Sequence, residues 1–191
     1  MSRYVTNREE NQELPNLQGI TDKALLAEAE FEGFLMAEIL FTEQLTTTTR
    51  FDCKYIRSIH KTALKELYSF AGHYGTVNMS KGGFLFPSSL FIPQNMQAFE
   101  NEVLSQLPDI YPGKEELIHD VAVVHGELLF IHPFREGNGR TARILANLMV
   151  RKQGYEGLRF ERIDFREYVI AVQHVSEKNY KPMERIINSI F

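Results

Sequence analysis

Apolar residues recur at helical spacing along most of the chain. After a polar stretch holding Pro15 and Gly19, positions Leu25, Ala29, Phe31, Phe34, Leu35, Ile39 and Leu40 repeat near every 3.6 residues. They predict a helix to about Phe41–Glu43, with Thr21 or Asp22 as its N-cap. Gly33 lies inside it, where glycine costs roughly 1 kcal/mol against alanine, so a packing or functional reason is expected. Thr46–Thr49 reads as a connection. Ile56, Ile59, His60, Ala63, Leu64 and Leu67 carry a second helix from Phe51 to Tyr68, ended by Ala71-Gly72. Pro93 opens a third through Met96, Phe99, Val103 and Leu104, and Pro112-Gly113 marks a turn. Ile118, Val121, Ala122, Val124, His125, Leu128 and Leu129 form the inward side of a long helix over Glu115–Ile131. Pro133 stops it, because proline disfavours the helical conformation at the residue before it. A further helix runs from about Asn138 to Arg151–Lys152. Shorter ones follow Asp164 (through Tyr168, Ile170, Ala171 and Val172) and Lys181-Pro182 (through Met183, Ile186, Ile187 and Ile190).

One segment breaks the helical pattern. Thr76 to Pro87 carries Gly82-Gly83 between short β-prone pieces, a hairpin signal. Phe84 and Phe86 then share one face and Leu85 takes the other, while Pro87 places the second strand at an edge. No alternation of strand and helix is visible. The expectation is a mainly α fold: an N-terminal arm over 1–20, then one helical domain over 21–191 with a single small β-hairpin at about 76–92.

Composition narrows the partners without changing the fold. The chain has 191 residues, 43% hydrophobic and 24% charged, enough for one domain with a sizeable core. A net charge of -4 argues against nucleic acid as the default partner. Cys53 is the single cysteine, so neither an internal disulfide nor a cysteine zinc site is available. No apolar run approaches the roughly 20 residues of a membrane span, and Met1 to Arg8 carries no signal-like core, so a cytoplasmic setting is expected.

The densest chemistry lies between the two longest C-terminal helical patterns, from His132 to Arg143. Gly137 and Gly139 permit turns that a side chain would block, and Asn138 is a good N-cap. Backbone N–H groups at such a helix start form an anion site, and Arg140 and Arg143 add forks that match phosphate oxygens. Glu136 beside phosphates is a candidate Mg2+ ligand, since Mg2+ keeps waters and takes one or two protein carboxylates. His132 can accept a proton near neutral pH. Base, metal carboxylate and phosphate cradle together point to transfer of a phosphorus-centred group onto a hydroxyl. Phe134 reads as an anchor for the loop.

At these residues the sequence resembles the Fic (filamentation induced by cAMP) family, whose signature His-Pro-Phe-x-Asp/Glu-Gly-Asn-Gly-Arg-x-x-Arg is matched at every specified position from His132 to Arg143. Ile59-His60, Tyr68 to Gly72 and Ser80 to Phe84 extend the resemblance to roughly residues 20–190. It implies a Fic-type helical bundle and a protein adenylyltransferase that moves AMP from ATP to a Ser, Thr or Tyr hydroxyl of a target protein. His132 is then the base, Glu136 the Mg2+ ligand, Gly137, Asn138 and Gly139 the anion hole, and Arg140 and Arg143 the grip on the β- and γ-phosphates. Lys81, Gly82, Gly83 and Phe84 would form a flap that docks the target by strand addition. The phosphorylating Doc branch has lysine where Arg140 stands, which favours AMP transfer here. Many relatives carry arginine where this chain has Gly75.

The family is often restrained by a helix bearing Ser/Thr-x-x-x-Glu-Gly/Asn, whose glutamate pairs with the second motif arginine. Glu32-Gly33 fits the last two positions, although Glu28 stands where Ser or Thr is expected. Residues 21–43 are therefore a candidate inhibitory helix, with Glu32 expected on Arg143. The alternatives are removal of AMP, transfer of another nucleotide, or a non-catalytic nucleotide-binding regulatory module. The resemblance also admits self-association.

Overall fold

The computed structural model describes residues 14–81 and 84–191. Asp22 starts helix α1 (Lys23–Glu43), its carboxylate accepting from the N–H groups of Ala24 and Leu25, donors that lack partners inside a helix. Asp52 does the same for α2 (Cys53–Leu64) through the Tyr55 N–H. That helix ends four residues before its pattern predicted. Leu67 and Tyr68 both turn their N–H groups back onto the Leu64 carbonyl, and the chain then folds through Gly72 at φ +77°. Helix α3 (Ile92–Glu102) holds Pro93 in its first turn, where the missing N–H costs nothing, and a short 3₁₀ turn at Leu104–Gln106 replaces its expected end. Then come α4 (Lys114–Ile131), α5 (Asn138–Lys152), α6 (Phe165–Val175), which Asp164 caps, and α7 (Lys181–Ile190). Strands β1 (Ser80–Lys81) and β2 (Phe84–Leu85) make the antiparallel hairpin, with Ser80 opposite Leu85 and Lys81 opposite Phe84.

The mainly helical fold with one hairpin is as expected. Helix α4 is the central element, packed against α5, α6 and α7, and every residue predicted to face inward on it is buried. Of the predicted arm, residues 1–13 lie outside the described residues. Beyond them, the Leu17 N–H donates to the Leu67 carbonyl at 2.8 Å, which straps the chain against the end of α2 before α1 begins.

Helix α1 departs from the reading of its pattern. Leu25, Phe31, Leu35, Met36, Ile39 and Leu40 are exposed, and the buried face is Leu26, Glu30, Phe34, Ala37 and Phe41. Apolar residues surround most of the helix, so periodicity identifies a helix without choosing its inner side. Tertiary pairing makes the choice. Helix α1 packs on α2 and runs alongside α5 in the same direction, with Glu30 on Arg140 near the start of both. Near their ends Glu38 accepts from Asn147 and Arg151.

The reason for Gly33 is steric. A Cβ added there would lie 2.0 Å from the Ala63 carbonyl oxygen, so α1 and α2 touch backbone to side face with no room for a methyl group. Gly33→Ala is expected to destabilise the protein by on the order of 1–3 kcal/mol, the usual cost of overpacking, seen as a lowered midpoint in thermal or urea denaturation.

Candidate active site

The site is the junction between α4 and α5. Helix α4 ends at His132, which adopts the left-handed conformation (φ 55°, ψ 56°), uncommon for a residue with a Cβ. Pro133 bars it from continuing the helix. The His132 N–H still reaches the Leu128 carbonyl at 3.1 Å, closing the last turn. Its ring is only 2% exposed, and Nδ1 lies 3.1 Å from the Leu129 carbonyl oxygen. A carbonyl only accepts, so Nδ1 carries the proton and Nε2 of the neutral ring holds the lone pair, the arrangement a general base needs. Phe86 stacks on the imidazole, with ring centroids 3.9 Å apart.

Residues 133–137 are held from four directions. Asn138 closes the loop on itself: Oδ1 accepts from the Phe134 N–H at 2.8 Å and Nδ2 donates to the Phe134 carbonyl at 2.6 Å. The predicted capping role of Asn138 is thus corrected. It is the first helical residue, and Gly137, at φ 75°, is the cap. The left-handed turn at Gly137 moves the asparagine one position into the helix and swings its side chain back over the loop. Gly75 donates its N–H to the Pro133 carbonyl at 2.8 Å, and a Cβ at Gly75 would sit 3.4 Å from the Arg135 nitrogen. That distance is ordinary contact, so the space at Gly75 would also take a side chain. His60 of α2 stacks on Phe134 at 3.9 Å and donates from Nε2 to the Glu136 carbonyl at 2.9 Å, while its Nδ1 accepts from the Gly72 N–H. Phe34 of α1 fills the space against Gly137, where an added Cβ would meet its ring at 2.6 Å.

The start of α5 faces outward from this frame. The first helical bond runs from the Thr141 N–H to the Gly137 carbonyl, so the N–H groups of Asn138, Gly139 and Arg140 have no partner within the helix. A Cβ at Gly139 would meet nothing within 4 Å, so open space lies beside these donors. The two arginines flank it. Arg140 turns toward α1, where its Nη2 donates to Glu30 at 2.9 Å and to Glu136 at 3.0 Å over the Phe34 ring. Arg143 turns toward α6, with its guanidinium 5.6 Å from the Phe160 ring and 6.0 Å from the Tyr168 ring, and its Nε is buried with no hydrogen-bond partner. Glu136 uses one oxygen for the Gly137 N–H and Arg140, which leaves Oε2 uncommitted.

Beside His132, the hairpin presents Phe84 near Phe130 and Phe86 on the imidazole, while Leu85 is exposed. This is the predicted alternation of faces. Gly82 and Gly83, named for target docking, lie outside the described residues, as does the side chain of Lys81.

Residues 50–150 match the Fic/DOC family model. The chain belongs to the Fic/DOC family. It is 33% identical over 123 residues to a protein adenylyltransferase Fic of Nematostella vectensis, covering 62% of this chain and 28% of that one. It is 29% identical over 160 residues to the protein adenylyltransferase VbhT of Bartonella schoenbuchensis, covering 82% of this chain and 32% of VbhT. The chain thus spans about a third of the length of these relatives. Its fold also matches the BepC effector of Bartonella tribocorum solved with AMPPNP, at TM-score 0.78 and 21% identity over 95% of this chain and 93% of BepC. A Bartonella quintana Fic domain solved with ADP superposes at TM-score 0.77 and 20-odd per cent identity (21%), covering 96% of this chain and 92% of that domain.

In this Fic domain the restraining pair expected from the sequence does not form. Glu32 is exposed on the outer side of α1 and makes no ion pair with Arg143. Two residues earlier, Glu30 points inward, 5% exposed, and holds Arg140 instead. The helix therefore does bring a carboxylate to the motif, one position pair away from the expected one and to the other arginine. Sequence reasoning missed Glu30, Phe34 and Tyr68, because nothing local in α1 marks a glutamate for burial. His60 was placed on the inner side of α2 without its role in holding the loop.

A cleft of about 470 Å³ at the far end of α5, lined in part by Phe51, Glu100, Asp109 and Lys152, is a separate feature. Among its lining groups Lys152 pairs with Asp109, and Glu100 accepts from the Cys53 N–H.

Burial holds two histidines of the frame neutral. It depresses His60 to about 4 and His125 to about 3, the latter set between the Ala142 carbonyl and the Tyr168 hydroxyl. In the unfolded chain both titrate near 6.5, so between that value and 4 the unfolded state binds more protons and is favoured as pH falls. The full stabilisation is present above pH 6.5. Thermal denaturation across pH 7.5 to 4 is expected to show a falling midpoint that begins near pH 6.5, with His60 alone costing on the order of 3 kcal/mol by pH 4.

Proposed function

We propose that this Fic domain is a Mg2+-dependent protein adenylyltransferase that transfers AMP from ATP to a Ser, Thr or Tyr hydroxyl of a target protein. The observation that carries the reading is the orientation of His132: Nδ1 is committed to the Leu129 carbonyl, so in the neutral ring the lone pair sits on Nε2, six residues before the start of α5 at Asn138, where the first N–H groups have no partner within the helix. Binding a nucleotide needs the donors and arginines but no base. The naming of relatives as protein adenylyltransferases supports the same activity.

The residues divide the work. The N–H groups of Asn138, Gly139 and Arg140, at the positive end of the α5 dipole, accept phosphate oxygens. Arg140 and Arg143 bring positive charge from opposite walls and offset the charge that gathers on the leaving pyrophosphate. His132 takes the target hydroxyl proton on Nε2 as the hydroxyl oxygen bonds to the α-phosphorus and the bond to the β-phosphate bridging oxygen breaks. AMP stays on the target and pyrophosphate leaves. Among the described residues no group of three or more His, Cys, Asp or Glu residues is placed to hold a metal, and of the carboxylates at the site Glu30 has both oxygens engaged, by Tyr68 and Arg140. That fits Mg2+, which binds through one carboxylate, waters and substrate phosphates, and Glu136 Oε2 is the free oxygen. When bound, Mg2+ supplies further neutralisation of the phosphate charge. The strand β2 that carries the exposed Leu85 is where a target strand would add, with Phe86, the residue after it, covering the base.

No described helix is long and apolar enough to cross a membrane. Removal of AMP, the reverse reading, drew on Glu32, whose exposure gives it no support.

ATP labelled at the α-phosphate is expected to label a target or the protein itself, and γ-labelled ATP to transfer nothing. His132→Ala is expected to abolish transfer, by at least about 10³-fold, while retaining ATP binding measured by calorimetry. Transfer of γ-label would overturn the reading in favour of a kinase.

A further inference from the structure

Helix α1 sends two side chains, one turn apart, onto the same guanidinium. Glu30 Oε2 accepts from Arg140 Nη2 at 2.9 Å, and the Phe34 ring lies 4.5 Å beneath the Arg140 carbon that joins its three nitrogens. Positions i and i+4 of a helix share a face, so edge and face of the arginine are met together. Glu30 is itself fixed, since the Tyr68 hydroxyl donates to its other oxygen at 2.5 Å. It occupies the buried side of α1 among Leu26, Phe34, Ala37 and Phe41, a place where an apolar residue would pack without loss. A carboxylate kept there at 5% exposure has Arg140 as its charge partner.

The donor count shows what the contact does. A guanidinium has five N–H donors. Nη2 spends both of its own, one on Glu30 and one on Glu136 at 3.0 Å. Among the described residues Nη1 and Nε make no hydrogen bond, and the side chain is 29% exposed. One end of the fork is thus pinned from behind while three donors remain open. A carboxylate that competed with phosphate would cover those donors.

We propose that Glu30, assisted by Phe34, is a positioning residue for Arg140, orienting its open donors for the phosphates of a nucleoside polyphosphate. This rests on the adenylyltransferase reading for the identity of the anion. It differs from a restraint: Glu30 raises affinity for the nucleotide and does not block it. Flexible long side chains lose rotamer entropy when they bind, and an arginine already held by one nitrogen and one ring face has that loss taken before the ligand arrives.

The test compares affinities of the full chain for a non-hydrolysable ATP analogue and for AMP, each with Mg2+, by titration calorimetry. Glu30→Gln is expected to weaken the ATP analogue about tenfold and AMP by less than about twofold. In transfer assays KM for ATP rises and kcat falls with it, because Arg140 also offsets the charge on the leaving pyrophosphate. In an Arg140→Gln background the Glu30→Gln change should have no further effect, since the two act as one unit. Phe34→Leu keeps an apolar side chain against Gly137 and removes the ring face, so it should weaken ATP binding in the same direction. It serves as the second variant if Glu30→Gln does not fold. Equal loss of ATP and AMP affinity, unchanged affinity, or tighter ATP binding in Glu30→Gln would overturn the inference while leaving the enzyme reading intact. Wild-type protein that binds no ATP would overturn both.

Discussion

The two hydrogen bonds between the Asn138 side chain and the backbone of Phe134 are the constraint on which the site depends. One amide group satisfies both polar groups of a buried backbone unit, so residues 134–138 close into a ring independent of any ligand. A loop of this length that turns a chain from α4 into α5 would otherwise need water or a β-turn partner for each group. Because the ring starts at the end of one helix and finishes at the beginning of the next, it sets the angle at which the first N–H groups of α5 meet solvent. The left-handed residues at either end, His132 and Gly137, are the two bends that make the closure geometrically available. Only the second is a glycine. The unfavourable conformation at His132 is held by Pro133 on one side and the α4 carbonyls on the other.

Around this ring the supports come from distant parts of the chain, and each is chemically suited to burial. His60 works as a neutral amide-like bridge, accepting at one nitrogen and donating at the other. A protonated ring could not accept from Gly72, so the same burial that depresses its basicity preserves its bonding pattern. Arg140 and Arg143 differ in a parallel way. The first is neutralised by carboxylates in the resting protein. The second is surrounded by aromatic faces, which lower its hydration without supplying a counter-charge. The opening of α5 is therefore electrostatically lopsided, more positive on the α6 side than on the α1 side.

What was legible in the sequence was whatever is contiguous. The residues from His132 to Arg143 could be read as a phosphate site because helix end, turn, helix start and basic side chains follow one another within a short span. Helix α4 was legible for a different reason: its C-terminal two-thirds is largely apolar and buried on nearly every side, so an apolar position read as inward is buried whichever face is chosen. Helix α1 shows the limit. Its element was predicted, yet its orientation was not, because Leu25, Phe31 and Leu35 have the same apolar character as Leu26, Phe34 and Phe41 and only contact with α2 and α5 separates them. A buried Glu30 is invisible locally, since its partners Tyr68 and Arg140 stand far along the chain. Asn138 was misplaced by one position for a local reason. N-cap preference describes average helix starts, and a left-handed glycine just before the helix is a less common start.

Side chains alternate inward and outward from strand β2 into the residue that follows it, and this gives Leu85 and Phe86 opposite addresses one residue apart. A rigid peptide unit joins them, so the two cannot move independently. The exposed side chain of Leu85 and the ring that covers the imidazole therefore share one mechanical coordinate. Anything that shifts Leu85 shifts the aromatic cover over His132 with it, and so changes how much water the imidazole meets.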